Sequence, residues 1–232
     1  MAVTEAPTVT EMELQLRALM QSVSCKHLRR LLAIFFAQDS ETWASYRDAP
    51  AAKRYHQAYV HGLLEHSLAV AQVVSSLAAI FDGVDRDLAV TGALLHDLGK
   101  LDAYAASAGG IELTDEGRLH GEIALGFYRV RRAIESLDGF PAERARALEH
   151  IILSHHGQRE YGSPVVPCTR EATLVHAADD LSAKLGSFDR LQHGLAAGAS
   201  WSAYDKVLGG SAYFSANTAA DAEPAIVAYA VA

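Results

Sequence analysis

Cysteine is nearly missing from this 232-residue sequence: Cys25 and Cys168 are its two examples, with no metal-type Cys-x-x-Cys spacing. Neither a disulfide framework nor a thiolate zinc site is expected, and the usage is that of a reduced, cytoplasmic protein. Positive charge is also short. Twenty lysines and arginines stand against 28 acids, a formal net charge of −8. That balance argues against a generic polyanion binder, because nonspecific nucleic-acid affinity comes largely from excess Lys and Arg, although a local basic patch is compatible with it. Long apolar runs are lacking too. The longest strongly apolar run, "LLAIFF" from Leu31, is far too short to span a bilayer. The opening "MAVTEAPTVTEMELQL" is acidic and has no basic-then-apolar order of a secretion signal, so no membrane partner is expected. Strand-favouring aromatic and β-branched runs are few while Ala, Leu and Val dominate, a balance that predicts an all-α fold.

What is present fits that class. Half of the residues are hydrophobic, enough for a real core. Thr10 is placed to cap a first helix in which Met12, Leu16, Leu19, Met20 and Val23 keep close to a 3.6-residue period. "HLRRLLAIFF" begins a second helix. Pro50 then breaks the pattern in a stretch carrying Lys53 and Arg54 beside Tyr55 and Tyr59. A long helix follows in "LLEHSLAVAQVVSSLAAIF", and "LAVTGALLHDL" forms another, started by Asp85 or Asp87 and stopped by Gly99. "ASAGGIELTDEG" has hairpin character. Thr114 or Asp115 caps the helix containing "LHGEIALGFYRVRRAIESL", and Pro141 opens "AERARALEHIILSHH". The helix "REATLVHAADDLSAKLG" comes last, with mixed sequence from Phe188. No repeat or linker divides the chain. The expected organisation is one helical bundle over residues 11–215, a flexible N-terminus over 1–10, and a tail over 216–232 that docks or is disordered.

Eleven histidines are many for this length. One histidine on an apolar face is more often a hydrogen-bonded core residue than a ligand. Here several apolar helices each contribute one, with acids at Asp97 and at Asp179 or Asp180 among them. Facing helices of a bundle can bring such oxygen and imidazole donors around divalent metal without any short ligand spacing. His96 and Asp97 are adjacent, and at a helix end both can turn inward. Asp97 has two oxygens and could bridge a pair of ions.

The ordered segments "GLLEHSLAVA", "LLHDLGK", "EGRLHGEIALG", "ILSHHG" and "REATLVHAADDLSAKLG" resemble the HD superfamily of metal-dependent phosphohydrolases, and most of all the HD domain of YhaM-like 3′-to-5′ exoribonucleases. The likeness runs upstream through "FFAQDSETWASYRDAPAAKRYHQAYVHG" and downstream to "WSAYDKVL". It implies a single-domain helical bundle of the HD-domain type that holds one or two divalent ions, Mn, Mg, Fe, Ni or Co. It implies His66 and His96 as histidine ligands, Asp97 as bridging carboxylate, Asp179 as the acid completing the first site, and His155 as a ligand of a second ion. His156 is an alternative ligand or a proton donor to the leaving group. The relatives usually have a histidine where an ungapped match puts Glu122, so either Glu122 or His120 serves the second ion. His61 stands where relatives tend to have glycine and is expected to face solvent. Lys100 is matched to the family's phosphate-holding lysine or balances charge at a helix end. Lys53 and Arg54 are candidate backbone contacts or a solvated helix start. His176 orients Asp179 or packs, and Asp180 with Lys184 form a surface pair.

These residues imply hydrolysis of a phosphodiester or phosphomonoester by metal-activated water, with a nucleotide or short single-stranded nucleic acid as substrate. The relatives generally carry an OB-type domain ahead of the HD domain, for which the stretch before Met12 leaves no room. An HD-type di-iron oxygenase and a catalytically silent helical binding module are the alternatives. An oligomer is compatible with the sequence.

Overall fold

The structure is a computed structural model and describes residues 7–53, 57–107 and 110–215. Ten helices and two small hairpins follow in the order α1 (Val9–Ser22), α2 (Lys26–Phe36), α3 (Trp43–Asp48), α4 (Gly62–Ala78), α5 (Arg86–Leu95), α6 (Lys100–Ala103), β1 (Tyr104–Ser107), β2 (Gly110–Leu113), α7 (Asp115–His120), α8 (Glu122–Glu135), α9 (Ala142–Ser154), α10 (Arg170–His193), β3 (Trp201–Asp205) and β4 (Gly210–Tyr213). The expected helical fold is what the described residues show.

The bundle is organised around α5. Every residue from Leu88 to Leu95 is buried, so beyond its first two residues this helix has no solvent face, and it packs against α4, α9, α10 and α2. Its start is fixed by Asp85, whose carboxylate accepts from the Leu88 N–H at 3.0 Å. Gly92 lets α9 come close, because a Cβ there would lie 2.7 Å from the Ile151 side chain. Leu94, Leu95 and Leu98 are fully buried at its far end. Each contributes about 2 kcal/mol relative to exposure. Three of the four neighbours bring donors inward: α4 a histidine, α10 a carboxylate, and the C-terminal end of α9 a pair of histidines.

Several element boundaries depart from the sequence expectation. The first helix is capped by Thr8, which closes a capping box with Glu11, rather than by Thr10. Gly99 does not stop a helix. With φ −69° it is helical in backbone and precedes the short α6. Its lack of a side chain is used for contact: a Cβ would meet the Glu122 carbonyl oxygen at 1.9 Å and the Gly126 nitrogen at 2.4 Å. The single helix expected through "LHGEIALGFY" is two, α7 capped by Thr114 and α8, parted at Gly121 where φ is +76°. The last helix runs on to His193. The hairpin expected in "ASAGGIELTDEG" is β1–β2, paired from Tyr104↔Leu113 to Ser107↔Gly110. A second hairpin, β3–β4, is tied to the end of α10 by the Arg190–Asp205 ion pair. The tail from 216 onward lies outside the described residues. No helix among them is long and apolar enough to cross a membrane.

Candidate metal centre

Four segments converge at the C-terminal end of α5. His66 comes from the inner face of α4, His96 and Asp97 from the turn that follows α5, His155 and His156 from the end of α9, and Asp179 from the middle of α10. The turn after α5 keeps helical backbone angles at His96, and the Leu98 and Lys100 N–H groups bond back to Leu95 and Asp97 carbonyls at 3.1 and 3.0 Å. The neighbouring His96 and Asp97 therefore both enter the interior, where each is almost fully buried.

The ring orientations are set by main-chain carbonyls. His96 Nδ1 lies 2.7 Å from the Ala93 oxygen, His155 Nδ1 2.8 Å from that of Ile152, and His156 Nδ1 2.7 Å from that of Tyr161. A carbonyl only accepts, so Nδ1 carries the proton and Nε2 turns its lone pair to the pocket in the neutral rings. There His66 Nε2 is 3.2 Å from His96 Nε2, 3.1 Å from Asp179 Oδ1 and 3.3 Å from Asp97 Oδ2. His96 Nε2 is 3.2 Å from Asp97 Oδ2, and His155 Nε2 is 3.6 Å from Asp97 Oδ1. On the half-open side, His156 Nε2 is 3.4 Å from Glu122 Oε1. Lys100, itself nearly buried, places Nζ 2.7 Å from Asp97 Oδ2.

Burial works against every charge here, and the neighbours outweigh it. It would raise the Asp97 pKa, but His96 and Lys100 hold that carboxyl well below the ordinary range. Asp179 is likewise held down by His66 and His96, and Glu122 by Lys100 and His156. His66 is lowered by burial but raised on balance to about 9 by Asp179 and Asp97, whereas in His155 burial prevails and the pKa falls. In the cation-free pocket three ionised carboxylates thus meet one ammonium and the protonated rings of His66 and His156.

The donor set fits divalent cations. Groups of ligand atoms lying within 4.8 Å of one another are offered by His66, His96 and Asp179, by His96, Asp97 and His155, by His155, His156 and Asp179, and by Asp97, Glu122 and His156. Asp97 Oδ1 and His155 Nε2 are buried and make no hydrogen bond among the described residues, which leaves their lone pairs for a cation, while Asp97 Oδ2 faces the Lys100 ammonium.

Other residues singled out in the sequence fall elsewhere. His120 is exposed at the end of α7 and belongs to none of these groups, while Glu122 does. Lys53 is held by Glu112 of β2 at 2.5 Å, and Arg54 lies outside the described residues. His176 does not orient Asp179. Its Nδ1 donates to the His155 carbonyl at 2.8 Å and its ring fills the space beside Gly157. His61 is not a solvent-facing ring: it sits at φ 71° before α4 with Nδ1 2.9 Å from the Arg47 carbonyl. Asp180 and Lys184 do form an i,i+4 pair at 2.6 Å, half exposed. Sequence reasoning missed Ser182, whose Oγ lies 3.5 Å from His66 Nδ1, and Ser163, which accepts from the His156 N–H at 3.1 Å. Ser182 is three residues beyond Asp179 on one helix face and was readable from that spacing. Ser163 arrives by a loop and carried no such signal.

Comparison with known proteins agrees with this geometry. The family model described as "HD domain" matches residues 63–184, a little over half of the chain. The 3′-5′ exoribonuclease YhaM of Bacillus subtilis (strain 168) is 37% identical over 147 residues, 63% of this chain and 46% of that protein. The protein of the same name from Bacillus pumilus (strain SAFR-032) is 37% identical over 149 residues, 64% and 47% of the two chains. That from Shouchella clausii (strain KSM-K16) is 32% identical over 166 residues, 71% and 50%. The matched region spans about half the length of these relatives. No solved structure matches the chain. The converging histidines and aspartates all lie inside the matched segment, and the chain belongs to the HD domain family.

Proposed function

We propose that this chain is a metal-dependent phosphohydrolase that cleaves a phosphodiester, or a phosphomonoester, of short single-stranded nucleic acid or nucleotides. Membership of the HD domain family and relatives named 3′-5′ exoribonuclease point to a metal-dependent hydrolase. The observation that carries the reading is Asp97, buried at the meeting point of imidazoles from three elements, with Oδ1 free of hydrogen bonds among the described residues. His66, His96, Asp97 and Asp179 would hold the first cation; Asp97, Glu122 and His156, with His155 beside them, would hold a second.

Bound divalent ions lower the pKa of water and neutralise charge on phosphate oxygens, which is the chemistry the residues alone do not supply. The chain's own contribution is placement and proton handling. Lys100 presents a permanently charged ammonium to the phosphate. Where it does not itself hold an ion, His156 would donate a proton to the departing oxygen. Glu122 raises its pKa, against burial, to about 8, so it is protonated near neutrality. Where His156 would help hold an ion, the ammonium of Lys100 is the group left to face that oxygen. The catalytic unit is residues 11–215, and free Cys25 and Cys168 support a reducing, cytoplasmic setting.

The test is a screen of short RNA, single-stranded DNA, nucleotides and a generic phosphodiester with Mn, Mg, Fe, Ni and Co, run beside Asp97→Ala. Divalent-dependent hydrolysis, strongest with manganese and lost with chelator and in Asp97→Ala, is the expected result. Hydrolysis that survives the substitution unchanged overturns the reading. Iron- and oxygen-dependent turnover without phosphate release would assign an oxygenase, and purified protein that binds no ion would assign a binding module.

A further inference from the structure

We propose that Lys100 is a built-in competitor of the second cation: its ammonium neutralises the Asp97 and Glu122 carboxylates until a substrate phosphate draws it away. This inference rests on the two-cation reading above. Three observations carry it. The Lys100 ammonium sits 2.7 Å from Asp97 Oδ2 in a pocket where the lysine is 9% exposed. Asp97 is at the same time the shared member of the Asp97, Glu122 and His156 donor group. The other Asp97 oxygen, Oδ1, is buried with no hydrogen-bond partner among the described residues, so it is open to a cation.

A divalent ion held by Glu122, His156 and Asp97 would share the Asp97 carboxylate with the ammonium. It then lies within a few ångströms of the ammonium. Like charges that close, in a poorly solvated pocket, exclude one another strongly. Either the lysine leaves or the ion does not bind. Lysine suits this part, being a compact charge on a flexible four-carbon stem. The open side of the pocket, where Glu122 and His156 retain some exposure, is where an anionic phosphate arrives. A phosphate there would attract the ammonium outward and leave the carboxylates to the second ion. By linkage, phosphate and the second ion then strengthen one another's binding, with Lys100 as the connecting element. The first ion has His66, His96 and Asp179 as donors besides Asp97, whereas the second depends on Asp97 and Glu122, the two carboxylates whose charge the ammonium offsets.

The experiment is calorimetric and electron-paramagnetic titration of full-length, metal-stripped protein with Mn(II), with and without a nucleoside 5′-monophosphate and with its direct chelation subtracted. Wild type, Lys100→Met, Lys100→Arg and Glu122→Gln are compared, each first checked by thermal melting. The wild type should bind one ion tightly and a second weakly. Lys100→Met should tighten the second ion by about tenfold, a coupling of ordinary size for linked sites. Lys100→Arg should restore the weak second site, and Glu122→Gln should lose the second ion and keep the first. The monophosphate should tighten the second ion in wild type and much less in Lys100→Met. An unchanged or weakened second ion in Lys100→Met overturns the proposal while two-ion binding in wild type keeps the functional reading. If no variant binds any ion, both fall. Should Lys100→Met not fold, the wild-type titration decides, because a second ion indifferent to the monophosphate removes the proposed coupling.

Discussion

Asp97 is the residue on which the centre turns, and its neutral isostere separates its roles. Asp97→Asn should keep the fold but lose the first-site ion, since the amide removes a charge and puts two donors where cations are required. Metal analysis of the purified variant checks this. Asp97→Ala should in addition lower the melting temperature, because breaking a buried ion pair and stranding Lys100 costs about 3–5 kcal/mol. His66 gives a pH dependence whose sign is fixed. Its pKa is raised to about 9 in the cation-free chain, so its charge stabilises that form fully below about pH 6.5, and the contribution is lost as pH rises through about 9. A cation needs the unprotonated ring. Affinity should therefore keep rising with pH up to about 9, with proton release on binding, and calorimetry in buffers of differing ionisation enthalpy measures that release. A plateau already at the ordinary histidine value would contradict it. The convergence of donors was legible in the sequence through residue type and order, with the HD likeness supplying His66 and Asp179. The choice between His120 and Glu122 was not, because it depends on the break at Gly121, where a two-residue shift moves a side chain from solvent into the pocket.

At the scale of elements, close backbone approaches decide where the donors go. Gly99 meets α8 at the Glu122 carbonyl and at Gly126, so Gly99→Ala forces backbone apart at the spot that delivers Glu122. A loss of about 1–3 kcal/mol in chemical denaturation is expected, as for other overpacked contacts, with a weaker second cation and the first retained. Gly92→Ala should lose a similar amount through Ile151 while leaving cation binding intact, which makes it the control. The reading of Gly99 as a helix stop failed for an instructive reason. Glycine near a helix end has two uses, a left-handed backbone or a missing side chain, and sequence alone does not say which. Helices with a clear period or cap were legible: α1, α5, α9 and α10 begin within two residues of their sequence signals. The division of α7 from α8 was hidden because the apolar period runs on across Gly121.

For the molecule as a whole, bound cations and folding are linked. Three carboxylates with depressed pKa values lie in the centre, so their contribution to the cation-free fold is present above about pH 4 and is lost as pH falls below the unfolded carboxylate range. Adding a saturating divalent ion should raise the melting temperature and chelator should reverse the gain, by about 2.7 kcal/mol at a hundredfold excess over Kd. Differential scanning calorimetry with and without chelator tests it. The all-α class followed from composition and period, whereas the packing order followed from neither. That α5 lies at the middle is visible only once the other helices are seen around it. Its position has a consequence for isotope exchange. A helix with no wet face can trade its amide hydrogens for deuterium only when the entire fold opens, and that helix ends at His96 and Asp97. The hub of the cation pocket is thereby expected in the slowest-exchanging unit, and its rim, Glu122 beyond a glycine joint and His156 beside a loop, is expected to exchange sooner.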